Sequence, residues 1–167
     1  MLLHPGDPLW VDAWVPRDDP LWVNDVTSSA AWAGEWWCDA LASLGVGDLT
    51  VHRGAAEPGE YGALVCFAGR GPGEVFSDAR KVVGLSQWRG REGALFMMCA
   101  YTRWDPVPLV EVLDLPDPAR ETLAAGLAAV AVGVAQLVDG VSDLQGLADT
   151  LLSTFSGWAG PGGSVSP

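Results

Sequence analysis

The sequence predicts an α+β fold: a central, mainly antiparallel sheet flanked by helices. Three observations carry this. Residues 24–45 repeat apolar side chains at helical spacing. Residues 48–104 then break into short apolar, aromatic and β-branched runs separated by glycine turns. After Trp104 the start signals of helices return. At 167 residues, with 49% hydrophobic and 18% charged residues, the chain is globular and long enough for one domain with its own core.

The elements follow in order. PLWVDAWV (8–15) alternates and carries tryptophans, which predicts a strand. In 24–45, Val26, Ala30, Ala33, Trp37, Leu41 and Leu44 fall on one helical face, and Gly45 is placed to end the helix. Trp32, Trp36 and Trp37 are read as core packing ahead of a ligand pocket. DLTVHRG, GALVCFAG, GEVFS, RKVVGLSQW and GALFMMCAYTRW are expected strands, and Arg89–Gly93 is the hairpin loop joining the last two. Asp105-Pro106 and Asp117-Pro118 each offer an N-cap followed by proline. Ser142 to Gln145 form a capping box ahead of Leu147, Leu151 and Phe155. No internal repeat is present.

Charge and cysteine content exclude several functions. A formal charge of −12 disfavours nucleic-acid binding, which neutralises phosphates with lysine and arginine. Seven of the nine basic residues lie between 53 and 103, which would steer a small anion to the middle of the chain. Solvated strand and turn arginines would look the same. Cys38, Cys66 and Cys99 have neither a disulfide-scaffold nor a metal-ligand spacing, so buried free thiols in a reducing cytoplasm are expected. MLLHPGDPLW lacks a basic region and a sustained apolar run, so no secretory signal is read there. The apolar run at 123–138 is shorter than the roughly 20 residues a membrane helix needs, so no membrane partner is expected.

Few residues are candidates for chemistry. GRGPGE (69–74) lacks the third glycine of a dinucleotide loop and the lysine-serine of a P-loop, and it is read as a turn. No GxSxG elbow occurs. His4 lies near the terminus, and His52 sits in an expected strand beside Arg53, where a structural role is expected. Lys81 stands out as the only lysine in the chain. Alternation puts it on one face with Val83, Leu85 and Gln87, along or at the mouth of an apolar surface. There its ammonium would be partly desolvated and would attract an anion or a polarised carbonyl more strongly. Gly84 would permit a close approach. A lone lysine on an edge strand also serves as a solubility device.

RKVVGLSQWRGREGALF resembles the signature of the biotin and lipoate protein ligase catalytic domain, in which a G-R-K-[IV]-x-G strand precedes a small residue, a glutamine and an arginine-bearing turn. Arg80 to Gly84, Ser86, Gln87 and Arg89 carry the likeness. It spans about 8–155 and is most specific at about 62–104. Ala79 stands where the family has glycine, and Met98-Cys99 where it has histidine-glycine. The family's arginine and triple-glycine hairpin, which would precede the first strand, is not in this sequence: the chain is an N-terminally shortened copy, its true start lies upstream, or another element substitutes. The resemblance implies a fold like that of class II aminoacyl-tRNA synthetases and biotin ligases. It divides the chain into a catalytic domain (1–155) and a flexible tail (156–167).

It also implies a chemistry: ATP, with magnesium, activates lipoate or octanoate, and the acyl group passes to a lysine of a lipoyl-carrier domain. Lys81 would stabilise negative charge at the acyl carbonyl and phosphate, and Gly73, Glu74, Gly84 and Ser86 would line the adenylate pocket. A second branch of the same superfamily moves octanoate from acyl carrier protein without ATP, through a cysteine that here would be Cys66. A catalytically silent paralogue kept as a binding module is the reading from a different class.

Overall fold

The computed structural model describes residues 8–139, 141 and 144–157. Five strands form one antiparallel sheet: β1 (Pro8–Pro16), β2 (Leu49–Val51), β3 (Val75–Ser77), β4 (Arg80–Arg89) and β5 (Gly93–Tyr101). Their order is β1-β5-β4-β3-β2. The helices are α1 (Ala31–Ser43), α2 (Val107–Glu111), α3 (Asp117–Val130) and α4 (Leu144–Gly157).

The predicted first helix forms late in its window. Asp25 accepts hydrogen bonds from the Ser28 backbone N–H (2.7 Å) and hydroxyl, a short 3₁₀ turn covers Ser28–Ala30, and α1 follows. Val26 therefore lies outside the helix and is exposed. At the other end Gly45 takes φ +93°, and Val46 N–H reaches back to the Leu41 carbonyl (3.1 Å), so glycine ends the helix where expected. Trp32, Trp36 and Trp37 are all buried. Trp37 donates to the Met98 sulfur at 3.2 Å, and Trp32 meets Phe96 edge to face at 5.2 Å. Trp32 and Trp37 thus bind α1 to the sheet, and Trp36 meets Phe155 of α4 edge to face at 5.1 Å.

α1 and α4 cover one sheet face, and the main core lies between them and Val82, Val83, Phe96, Met98 and Ala100. On the opposite face a second cluster gathers Val65, Trp104, Val110, Leu123, Leu127 and Ala131. α2 begins after Pro106, and Asp105 caps it through the Val107 N–H (3.0 Å). Asp117 is the first residue of α3, one position inside the expected cap. α4 continues through Ser156 and Gly157, beyond the expected domain limit at 155. The expected capping residues Ser142 and Asp143, His4, and the tail from 158 lie outside the described residues.

Two expectations are corrected here. GALVCFAG (62–69) is not a strand. The Leu64 and Val65 N–H groups both turn back to the Tyr61 carbonyl (2.9 Å each), and Cys66–Ala68 is a 3₁₀ turn. The flap so formed is closed at its base by paired backbone hydrogen bonds between Glu57 and Arg70, 2.7 Å each. Burial of Val65 and packing of Phe67 on the second cluster override the local β-propensity.

The alternation along β4 is also broken. Val75 pairs with Val83, yet Phe76 pairs with Lys81, which leaves Val82 as an extra residue, a β-bulge. Val82 and Val83 consequently both enter the α1 core, and Lys81 turns to the opposite face from Val83 and Leu85. Nor is β4 an edge strand: it lies between β5 and β3. The two-residue turn before it uses Asp78 at φ +53°. The left-handed position falls on Asp78 and not on Ala79, so alanine fits there without strain.

Candidate active site

A cavity of about 300 Å³ opens on the face of the sheet away from α1. Its floor comes from alternate residues of three strands: Trp10 of β1, Met97, Cys99 and Tyr101 of β5, and Gly84 and Ser86 of β4. Register explains this convergence, since Gly84 pairs with Cys99, Ser86 with Met97, and Trp10 with Cys99. Leu64, Val65, Cys66 and Phe67 of the flap form one wall, and Trp104 and Leu109 another. The lining is predominantly apolar, and Glu74 supplies its carboxylate.

Lys81 stands immediately behind that carboxylate. Its side chain is 1% exposed, and Nζ lies 2.7 Å from Glu74 Oε2. Nζ is also 3.5 Å from the Cys66 carbonyl and 5.4 Å from the Phe67 ring centre. Glu74 is held by two further donors, Gly71 N–H to Oε2 (2.6 Å) and Leu85 N–H to Oε1 (3.3 Å). The Lys81 backbone is fixed as well, its carbonyl accepting from Val132 N–H at 2.9 Å where the chain after α3 passes beside β4.

Burial dominates the electrostatics of this pair. It raises Glu74 above the ordinary carboxylate range, opposed by the Lys81 charge and the hydrogen bonds to Glu74. It lowers Lys81, opposed chiefly by the Glu74 charge, with a smaller opposing effect of Cys66 and a lowering by Arg70. Each group is thus pushed toward its neutral form by desolvation and drawn back by its partner. The ion pair presents little net charge to the cavity as it stands.

Of the residues singled out from the sequence, Glu74, Gly84, Ser86 and Cys66 line the cavity, and Lys81 lies one side chain behind it. Gly73 does not join them. It takes φ +81°, and a β-carbon there would stand 2.5 Å from the Ala30 carbonyl oxygen, so its missing side chain serves the packing of α1. At Gly84 the close neighbour is Phe67, whose ring would lie 2.8 Å from an added β-carbon. Gln87 bridges the Val26 carbonyl (2.6 Å) and the Ser29 hydroxyl (2.9 Å), and Arg89 donates to the Asn24 carbonyl at 2.8 Å. Both hold the segment before α1.

Against the expectation of buried thiols Cys66 is exposed, on the 3₁₀ turn of the flap, whereas burial pushes the Cys38 and Cys99 thiols up to about 11. His52 follows β2 and lies 2.9 Å from the Ala55 carbonyl, a structural contact. Among the described residues no group of three or more His, Cys, Asp or Glu side chains gathers as a metal site. Among them, too, no helix is long and apolar enough to cross a membrane.

Sequence reasoning missed the aromatic wall. Phe67 stacks on Trp104 (5.2 Å, 28°) and meets Tyr101 edge to face at 5.2 Å. It also missed the pairing of Glu74 with Lys81. The available signal was the tight turn at 78–79, which folds β3 onto β4 and brings residue 74 alongside 81–85.

This arrangement, an antiparallel sheet with helices over one face and a lysine beside an apolar cavity on the other, has the fold of the lipoate–protein ligases. A bi-partite lipoate protein ligase from Thermoplasma acidophilum, described with its E2 lipoyl domain, matches with a TM-score of 0.63 and 20% identity, over 90% of this chain and 50% of that one. A lipoate-protein ligase A bound with ATP matches with a TM-score of 0.57 and 20% identity, over 89% and 51%. A T. acidophilum protein with bound lipoic acid matches with a TM-score of 0.56 and 16% identity, over 90% and 50%. The chain thus spans about half the length of the solved structures it matches. No family model and no curated protein matches the sequence.

Proposed function

We propose that the chain is a lipoate–protein ligase-like acyltransferase domain that activates lipoate or octanoate with ATP and passes the acyl group to a lysine of a lipoyl-carrier domain. The observation that carries this reading is the single lysine, buried at the head of an apolar cavity within the ligase fold. An eight-carbon acid of about a dozen heavy atoms suits a cavity at the lower end of the ligand-pocket range, roughly 300–1,000 Å³. Its tail lies among Trp10, Met97 and Leu109, and its carboxylate faces the Glu74–Lys81 end.

In the first step a carboxylate oxygen attacks the α-phosphorus of ATP, releasing pyrophosphate and leaving an acyl-adenylate. In the second, the carrier amine attacks the acyl carbonyl, and AMP leaves with loss of a proton from the amine. Both steps build negative charge on carbonyl or phosphate oxygens, and an ammonium held in a desolvated site stabilises that charge once it turns from Glu74 to the substrate. Lys81 fills this role. Gly84 and Ser86 keep the floor low at the reacting end, while Gly73 acts through the packing of α1. Magnesium would arrive with the phosphates of ATP and neutralise part of their charge; no residue of this chain is assigned to it.

The test is direct. Lipoate and ATP should yield pyrophosphate and a lipoylated carrier domain, both lost in Lys81→Ala. Turnover from octanoyl acyl carrier protein without ATP, lost in Cys66→Ser, would assign the thiol route instead. Absence of binding to lipoate, octanoate, biotin and ATP would leave the binding-module reading.

A further inference from the structure

The ammonium assigned to the substrate is already occupied. Glu74 Oε2 lies 2.7 Å from Lys81 Nζ, Lys81 is 1% exposed, and Glu74 rather than Lys81 lines the cavity. An incoming carboxylate meets a buried carboxylate first. Two carboxylates that close cannot both stay ionised without cost, as paired aspartates in acid proteases illustrate. We propose that Glu74 is an affinity-setting residue that competes with the substrate's carboxylate for Lys81, so that each acid molecule enters with one proton. The balance is explicit: the Glu74 carboxylate takes a proton from solvent, and Lys81 keeps its charge and pairs with the incoming carboxylate. This rests on the reading of the cavity as an acid-binding site.

The surroundings favour protonation at Glu74. Burial already raises it above the ordinary carboxylate range. The other titratable or charged groups facing the pair are few. The flap brings Cys66 and Arg70, and β5 brings Tyr101 and Cys99, the last pushed up to about 11 by burial. His52 stands beyond, its ring 6.4 Å from that of Phe76. Glu74 also keeps two backbone donors, from Gly71 and Leu85. A neutral side chain at 74 can still accept one of them, so glutamine preserves the local fold.

Octanoate and octanamide provide the test, by calorimetry without ATP or carrier. Between pH 6 and 8 octanoate stays ionised, so its affinity for the wild-type chain should fall about tenfold per pH unit above the Glu74 pKa. Its enthalpy should vary with buffer ionisation as one proton is taken up. Glu74→Gln should bind octanoate about tenfold or more tightly than wild type at pH 8, with a shallower pH dependence; the uptake that remains belongs to Lys81, whose charge Glu74 no longer supports. Glu74→Asp retains a carboxylate and should retain the uptake, and octanamide should bind all forms independently of pH. His52→Gln serves as the control and should leave the uptake unchanged.

Octanoate binding without proton uptake, or an unchanged pH profile in Glu74→Gln, overturns the inference even in a chain that lipoylates its carrier. Failure of every form to bind octanoate overturns it too. Proton-coupled octanoate binding in a chain that forms no adenylate retains the inference and removes the ligase reading.

Discussion

Replacing Lys81 by methionine removes an ammonium but keeps a stem of nearly the same length, and it isolates the worth of the ion pair. Glu74 is left 6% exposed with its cationic partner gone, while the Gly71 and Leu85 N–H donors remain. Breaking a buried pair in this way costs about 3–5 kcal/mol, because the surviving charge is uncompensated. Replacing both members by Glu74→Gln with Lys81→Met removes both charges, and the loss should shrink to about 1 kcal/mol or less.

The pH dependence follows from Glu74. Its folded pKa is raised above the unfolded value of 4.5, and loss of Lys81 raises it further. The folded state of the single variant therefore binds more protons than the unfolded state above pH 4.5. Its stability then falls as pH rises from 4.5 through the folded pKa, by about 1.4 kcal/mol per unit. Below pH 4.5 both states are protonated, and Lys81→Met should come closest to the wild type. Urea unfolding followed by tryptophan fluorescence at pH 4 and pH 7.5 reads all of this. A single variant within 1 kcal/mol of wild type at pH 7.5, or a double variant as unstable as the single, would refute the buried pair.

Other expectations follow from the same geometry. Gly73→Ala forces a side chain into φ +81° and against the Ala30 carbonyl, so it should destabilise by about 2 kcal/mol or more in the same unfolding assay. Gly84→Ala meets the Phe67 ring at 2.8 Å; it should cost about 1–3 kcal/mol and shift Phe67 off the Trp104 stack, seen as a change in near-ultraviolet circular dichroism. Among the three thiols, exposed Cys66 should be alkylated by iodoacetamide at pH 8 well before Cys38 and Cys99, whose thiols burial pushes up to about 11. Peptide mass spectrometry over time gives the order.

Much of this architecture was legible in the chain. The period of α1, its glycine stop and the Arg89–Gly93 loop are local signals, and the fold respects them because local preference and burial agree there. The composition also marked Lys81 as unusual. What escaped depends on contacts between distant residues. The bulge at Val82 arises from the pairing of β3 with β4, and it reverses the face on which Lys81 lies. The 62–69 run has strand-like composition, yet Phe67 finds a better partner in Trp104 than any sheet edge provides. Gly73 and Gly84 are both glycines beside the site, and only their neighbours distinguish a helix-packing role from a place in the cavity floor.

A carrier-lipoylation assay comparing wild type with the Glu74→Gln, Lys81→Met double variant tests the charge of Lys81 most directly. That variant is expected to fold, so lost turnover cannot be assigned to unfolding. The wild-type chain should give lipoylated carrier and pyrophosphate from lipoate and ATP, and the folded double variant neither. Equal lipoylation by both would contradict the assignment of Lys81 as the charge that stabilises the reaction.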